Sequence, residues 1–143
     1  MATELGATGF EDDAVRHGVV AYPLVYRTVD AYGRPSTASG LFVVPLNRER
    51  RLRAVSFAHG TGSHKDDSPS MQRAKFVSAP AAAGAAGSDY LGMGKGPGLT
   101  PWMDIASETT ASLDMLRASR AFAPRTGHVL EREVSLPFNL GAR

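Results

Sequence analysis

The feature that most constrains the fold is a short apolar run that ends in two glycines. Residues 54–58, AVSFA, are small or apolar except for one serine, and the residues His59-Gly60-Thr61-Gly62 follow directly. A run without polar alternation is typical of a strand that is buried on both faces of a sheet. The sequence therefore predicts a buried strand, followed either by an ordinary glycine turn or by a loop that lets a ligand approach the backbone closely.

Two extended segments precede this strand and predict an antiparallel pair. Residues 15–29 are rich in valine and tyrosine, and Pro23 assigns their middle to a sheet edge or a bend. Residues 40–46, GLFVVPL, form the second predicted strand. The segment between them, residues 30–40, has the glycine and proline content of a turn. This connection is too short for a crossover helix, so the two strands run antiparallel.

Two helices and two further strands are predicted after the apolar run. The first helix begins near Ser68-Pro69, and residues 81–90 contain a short buried strand. The second helix covers residues 103–122, is capped by Thr100 or Asp104, and ends before Pro124. Its predicted buried stripe is Ile105, Thr109, Leu113 and Leu116. A last strand is predicted at residues 134–136.

This order, β-β-β-α-β-α-β, predicts an α/β fold in which antiparallel first strands are followed by parallel strands with flanking helices. We expect a single partial domain over residues 1–143, with residues 1–14 as a loose lead-in. The 16 lysines and arginines against 14 acidic residues are too weak a bias for a nucleic-acid partner. The sequence contains no cysteine, no apolar run of transmembrane length and no recognisable signal peptide, and its compartment stays open.

The glycine-rich segment GMGKGPG, residues 92–98, does not match a nucleotide-binding motif. The dinucleotide pattern would need glycine at Pro97, and the P-loop pattern would need glycine at Asp89. A metal site formed by His59, His64, Asp66 and Asp67 has suitable ligand types, but the spacing matches no metal motif. We therefore expect no cofactor and no metal.

The chemistry that remains for His59-Gly60-Thr61 is stabilisation of an oxyanion. Acyl transfer builds negative charge on a carbonyl oxygen, and rigid backbone N–H groups at the carboxyl end of a buried strand can stabilise that charge. Glycine lets the chain turn outward so that a substrate can approach. On this motif alone, an ordinary turn remains an equal alternative.

The order and spacing of several motifs resemble the lipase- and esterase-like members of the α/β-hydrolase superfamily, of the secretory-lipase type. The resemblance runs from about Tyr22 onward. Its motifs are GLFVVP (40–45), HGT (59–61), SPS (68–70), DYLGMG (89–94), TPWM (100–103) and DMLRA (114–118). The resemblance implies an α/β-hydrolase sheet and a serine carboxylic-ester hydrolase whose oxyanion loop contains Gly60 and Thr61, with His59 supporting that loop.

The resemblance ends where the family carries its nucleophile. Relatives have a G-x-S-x-G elbow after the last strand, whereas this chain reads PFNLGAR, which puts Asn139 at the nucleophile position. An amide side chain is not a nucleophile, so the covalent route is closed at Asn139. The family's acid and base follow the nucleophile in the chain, and no residue up to Arg143 can be assigned to them. His17 and His128 are expected to be surface residues.

Two hypotheses about function follow. The first is the N-terminal portion of an ester hydrolase that is inactive alone, whose full-length relatives act on a small ester or lipid substrate. The second is a truncated or decayed hydrolase, a fragment that acts at most as a binding or interaction module. In either case the last strand would be an uncovered sheet edge, and we expect the isolated chain to be poorly stable and to self-associate.

Overall fold

The computed structural model describes residues 18–46, 48–59, 64–71, 84–101 and 103–135. These residues form one five-stranded sheet and one α-helix. The strands are β1 (Val19–Val29), β2 (Pro35–Pro45), β3 (Arg51–Phe57), β4 (Gly84–Ser88) and β5 (Val129–Ser135), and the helix is α1 (Ile105–Phe122). Two short 3₁₀ turns, Lys65–Asp67 and Ala123–Thr126, lie before β4 and after α1.

The sheet has the mixed architecture that the sequence predicts. Its strand order is β1-β2-β4-β3-β5. Strand β2 pairs antiparallel with both β1 and β4, whereas β3 pairs parallel with β4 and β5. The α/β fold class is therefore confirmed. The predicted lead-in at residues 1–14 lies outside the described residues, as does most of the helix predicted from Ser68-Pro69.

The β1–β2 hairpin is longer than predicted because its turn is shorter. The Asp30 carboxylate accepts hydrogen bonds from the backbone N–H groups of Tyr32 and Arg34, both at 2.9 Å, and Gly33 has a φ of +76°. The turn is complete at Arg34, so β2 begins at Pro35 rather than at Gly40. Pro23 lies in β1, which is an edge strand of the described sheet, as predicted.

The main apolar core lies between α1 and one face of the sheet. Phe42 of β2 and Met115 of α1 are both fully buried there. The Phe122 ring meets the rings of Tyr22 and Phe42 edge-on, at centroid distances of 5.3 and 6.3 Å. Gly40 lets the helix approach closely, because a Cβ at this position would lie 2.5 Å from the Met115 sulfur. The apolar strands and the helix thus form one packed layer pair.

The predicted helix stripe is correct at Leu116 and wrong at Ile105, Thr109 and Leu113, which are exposed. The buried positions of α1 are Ser107, Ala111, Met115, Leu116 and Ser119. Ile105 and Leu113 are instead 65% and 48% exposed. The buried face therefore combines Met115 and Leu116 with three small side chains, because the helix packs close to the sheet. Of the two candidate caps, Asp104 is the one that accepts a hydrogen bond, from the backbone N–H of Ser107 at 3.3 Å.

The last strand begins five residues earlier than predicted, at Val129. Its pairing with β3 is irregular, because Leu52 pairs with Leu130 whereas Ala54 pairs with Val134. Arg120 of α1 donates from one guanidinium nitrogen to the carbonyls of Glu131 and Arg132 at 3.1 and 3.5 Å. These contacts satisfy backbone groups where the ladder is disturbed. This part of the strand was not predicted, because residues 131–133 are all charged and interrupt the apolar pattern of a strand.

Candidate functional site

The carboxyl ends of β3 and β4 meet at one edge of the sheet, because these two strands are parallel neighbours. His59 follows β3, and Asp89-Tyr90 follows β4. The His59 and Tyr90 rings are stacked at a centroid distance of 4.4 Å, and Nε2 of His59 lies 3.4 Å from the Asp89 carbonyl oxygen. The ends of these two strands are therefore direct neighbours.

Gly60, Thr61 and Asn139 lie outside the described residues, so their assigned roles remain predictions. His59, which directly precedes Gly60, is described. It is buried, and its carbonyl oxygen accepts a hydrogen bond from the Tyr90 hydroxyl at 3.3 Å. The residue that precedes the predicted oxyanion loop is therefore held by both its side chain and its backbone.

A fully buried carboxylate, Asp89, lies at the centre of this edge. Its Oδ2 accepts hydrogen bonds from the hydroxyl of Ser39, at 2.5 Å, and from the hydroxyl of Ser70. Its Oδ1 accepts the backbone N–H of Ser70 at 2.8 Å. Buried charge is costly unless donors of this kind compensate it. We call Ser39, Ser70, Asp89 and Gly94 the Asp89 cluster.

The glycine-rich loop after β4 closes over this cluster. Gly94 has a φ of +55°, and a Cβ at this position would overlap Oδ2 of Asp89 and the Ser39 hydroxyl. The backbone N–H of Gly94 donates to the Lys65 carbonyl at 3.1 Å, and the Lys65 ammonium donates to the Gly96 carbonyl at 3.0 Å. The loop that fails the nucleotide patterns thus has a packing role beside Asp89.

A chain of hydrogen bonds links Tyr90 to the helix. The backbone N–H of Tyr90 donates to the Ser88 hydroxyl at 3.0 Å, and that hydroxyl lies 2.8 Å from the hydroxyl of Tyr26. The Tyr26 hydroxyl donates to the Ala111 carbonyl of α1, also at 2.8 Å. Burial raises the pKa of Tyr26 well above its usual range, so this hydroxyl stays protonated and keeps its donor role.

Sequence reasoning identified Asp89-Tyr90 as part of a motif but missed Asp89 as the centre of a polar cluster. The available signal was its position directly after GAAGS, a strand of small residues only. A carboxylate at the end of such a buried strand needs donors, and the hydroxyl-rich SPS segment supplies them. The identity of Ser39 as the third partner depends on the β2–β4 register and could not be read from the sequence.

The metal alternative finds no support in the described part of the chain. Over those residues, no group of three or more histidine, cysteine, aspartate or glutamate side chains is arranged to hold a metal ion. Asp67 instead accepts a hydrogen bond from the backbone N–H of His64 at 2.9 Å, which closes the 3₁₀ turn.

Solved structures with a similar fold identify this architecture. A hydrolase from Legionella pneumophila superposes with a TM-score of 0.83 and 25% identity over 94% of this chain. The rice cell wall degrading esterase LipA from Xanthomonas oryzae superposes with a TM-score of 0.76 and 26% identity over 92% of this chain. The chain has an α/β-hydrolase fold.

This α/β-hydrolase chain covers only part of that fold. It spans 38% of the length of the Legionella hydrolase and 37% of LipA. The esterase Est22, at 15% identity and a TM-score of 0.56, shares the fold alone. No protein-family model matches the chain, and no curated protein matches it significantly in sequence. In the described residues, no helix is long and apolar enough to cross a membrane.

Proposed function

We propose that this chain is the N-terminal portion of a serine carboxylic-ester hydrolase, and that its contribution to the site is the oxyanion loop at Gly60 and Thr61. The observation that carries the proposal is the position of His59. It follows β3 at the carboxyl edge of the parallel strands, beside the end of β4, and ligands bind at this edge in open α/β sheets. The hydrolases and esterases with a similar fold support the reaction class.

In the proposed reaction, a serine oxygen attacks the ester carbonyl, the C–O bond to the alcohol breaks, and the alcohol leaves with the serine proton. Water then hydrolyses the acyl-enzyme to the carboxylic acid and the free serine. The negative charge that develops on the carbonyl oxygen is stabilised by the backbone N–H of Thr61 and by the N–H of the residue after the nucleophile. His59 supports the loop and does not exchange protons with the substrate. A small ester or a lipid is the proposed substrate class.

Residues 1–143 contain no G-x-S-x-G sequence, and Asn139 occupies the nucleophile position of the resemblance. We therefore propose that the chain has no esterase activity alone. An oxyanion site without its triad gives at most ~10³–10⁴-fold catalysis over water. Here we expect far less, because the chain spans only 38% and 37% of the length of the two similar hydrolases. Such a product would be a non-catalytic fragment, and this sequence departure is the observation that favours the second hypothesis.

The first experiment tests the inactivity. Wild type and Asn139→Ala are assayed side by side with short acyl p-nitrophenyl esters, and neither is expected to exceed the background rate. Asn139→Ser is expected to remain inactive as well, because no histidine is assigned to take the proton of the new hydroxyl. Saturable activity that is lost in Asn139→Ala would refute the proposed assignment of residue 139.

The second experiment tests the oxyanion role. Sequencing the locus beyond the codon for Arg143, in all frames, is expected to find G-x-S-x-G followed by an aspartate and a histidine. In the longer chain, Thr61→Pro removes the backbone N–H and should lower kcat by about 10²–10³-fold. Thr61→Ala keeps that N–H and is the matched control. Equal effects of the two substitutions would contradict an oxyanion role for this amide.

A further inference from the structure

The two ends of the predicted oxyanion loop are held by the same pair of residues. The described chain reaches the loop at His59 and leaves it at His64, and the turn that continues to Met71 returns to the sheet. His59 contacts Tyr90 and the Asp89 carbonyl, and the later turn contacts the Asp89 carboxylate through Ser70. An aromatic ring and a hydroxyl hold the entry, whereas a carboxylate holds the exit, so a separate substitution can test each end.

At the entry, Tyr90 holds His59 in two ways. Its ring stacks on the imidazole, with a centroid distance of 4.4 Å and an angle of 26° between the planes. Its hydroxyl donates to the His59 carbonyl at 3.3 Å. Tyr90 has a φ of +68°, which is uncommon for a residue with a large side chain and is maintained only where the surroundings enforce it. Its N–H bond to Ser88 is one of those enforcing contacts.

At the exit, the Asp89 carboxylate binds Ser70 through the backbone N–H and the hydroxyl. The backbone of Lys65, five residues earlier, is held by the N–H of Gly94, which itself packs against Asp89. In the described chain no cationic side chain forms an ion pair with Asp89, so these neutral donors compensate its charge. Hydrogen bonds have a preferred direction, whereas attraction between opposite charges does not. The positions of these donors therefore determine where the turn packs against Asp89.

We propose that Asp89 and Tyr90 are positioning residues. Tyr90 holds His59, and Asp89 holds the turn of residues 64–71, the two described segments that flank the predicted oxyanion residues. This inference depends on the proposed function only in that the proposed function assigns an oxyanion role to Gly60 and Thr61. An oxyanion site works because its donors are already in place when charge develops. Holding the two flanking segments against the end of one strand serves this requirement.

The exit clamp is tested by limited trypsin digestion of the 143-residue chain, with two cleavage sites quantified by mass spectrometry. Cleavage after Lys65 requires release of the turn, whereas cleavage after Arg53, inside β3, requires the sheet to open. Asp89→Asn should accelerate cleavage after Lys65 by about 10- to 100-fold relative to cleavage after Arg53. Asp114→Asn, the same chemical change at an ion pair on the helix surface, should change neither rate.

The proposal is overturned if Asp89→Asn accelerates both cuts by the same factor, or neither, in a folded protein. If that variant is cut after Arg53 as fast as the unfolded chain, Ser70→Ala replaces it and the same criterion decides. Ser70→Ala removes one hydroxyl donor and leaves the carboxylate in place, so it is the milder change.

The entry clamp is tested by modification of histidines with diethyl pyrocarbonate. Tyr90→Leu should raise the modification rate of buried His59 and leave that of exposed His64 unchanged. Tyr32→Leu, at an exposed tyrosine of the hairpin turn, is the matched control. An unchanged His59 rate in Tyr90→Leu would overturn the entry half of the proposal. These readouts need no substrate, so an inactive longer chain with an intact clamp would count against the proposed function alone.

Discussion

Two buried regions of this molecule are stabilised in opposite ways. The core between α1 and the sheet is apolar, and Phe42, Met115 and Phe122 fill it by shape. The Asp89 cluster is polar, and hydrogen bonds of fixed direction hold it together. Both regions exclude water from their central side chains, but only the second contains a charge.

This difference determines which substitutions each region tolerates. An apolar core accepts another side chain of similar volume, because dispersion and burial have no direction. A buried carboxylate with three donors does not accept a replacement, because each donor loses an acceptor that water cannot supply. The polar cluster joins β2, β4 and two loops, whereas the apolar core joins the helix to the sheet.

The largest expected effect is at Asp89. Asp89→Ala should lower the free energy of unfolding by about 3–5 kcal/mol, because three buried donors lose their acceptor. Met115→Leu in the apolar core should cost less than about 1.5 kcal/mol, since volume and polarity are nearly conserved. Urea denaturation of both variants measures the contrast. Equal losses would show that the two regions do not differ in this way.

A second prediction concerns the place where the apolar core is least adaptable. Gly40→Ala should destabilise the protein by about 2–3 kcal/mol, because the new Cβ would lie 2.5 Å from the Met115 sulfur and 2.6 Å from the Gly87 carbonyl oxygen. The thioether can move, but the carbonyl belongs to β4. Adding Met115→Ala to Gly40→Ala should therefore not restore the wild-type urea midpoint. Full restoration would mean that side-chain crowding alone limits this site.

The hydroxyl chain that connects the two regions should have a smaller effect. Tyr26→Phe keeps the ring in the apolar core but removes the group between Ser88 and Ala111, and we expect a loss of about 1–2 kcal/mol. Tyr32→Phe, at an exposed tyrosine, should change the stability by less than about 0.5 kcal/mol. Thermal melts of both variants test this. If Tyr26→Phe leaves the stability unchanged, the ring alone accounts for the contribution of Tyr26.

The smallest effect is expected away from both regions, at the hairpin turn. The backbone N–H of Arg34 is the main cause that holds the pKa of the Asp30 carboxyl below its usual value. Because the folded pKa is the lower one, the stabilisation is present above the unfolded pKa of ~3.9 and is lost as the pH falls through the folded pKa. Melts of wild type and Asp30→Asn should therefore converge in acid. A difference that persists in acid would exclude the carboxylate as its source.

The expected weak stability of the isolated chain remains a prediction. In the described sheet, β5 is an edge strand, and Val129 is 55% exposed. The irregular pairing of β5 and its charged residues 131–133 are features that reduce edge-to-edge association. A sharp melt that is independent of concentration, from a monomer, would contradict the expected self-association.

Local patterns in the sequence were sufficient for the strand before His59, the buried strand before Asp89, the helix ended by Pro124 and the α/β class. Each depends on short-range chemistry: apolar runs without alternation, capping residues, and proline. They were not sufficient for the buried face of α1. Periodicity selected Leu116, which is buried, but also Ile105 and Leu113, which are exposed. The rest of the buried face is Met115 with three small residues, and no hydropathy pattern favours the small ones.

The candidate site divides in the same way. The sequence by itself determined that two glycines follow a buried strand, at positions 60 and 62, and that residues 1–143 contain no G-x-S-x-G. Only the tertiary structure decided that Ser39, Ser70 and Asp89 form one cluster and that Tyr90 stacks on His59. These partners are separated by 19 to 50 residues along the chain. The strand register brings them together, and register depends on packing across the whole sheet rather than on any local segment.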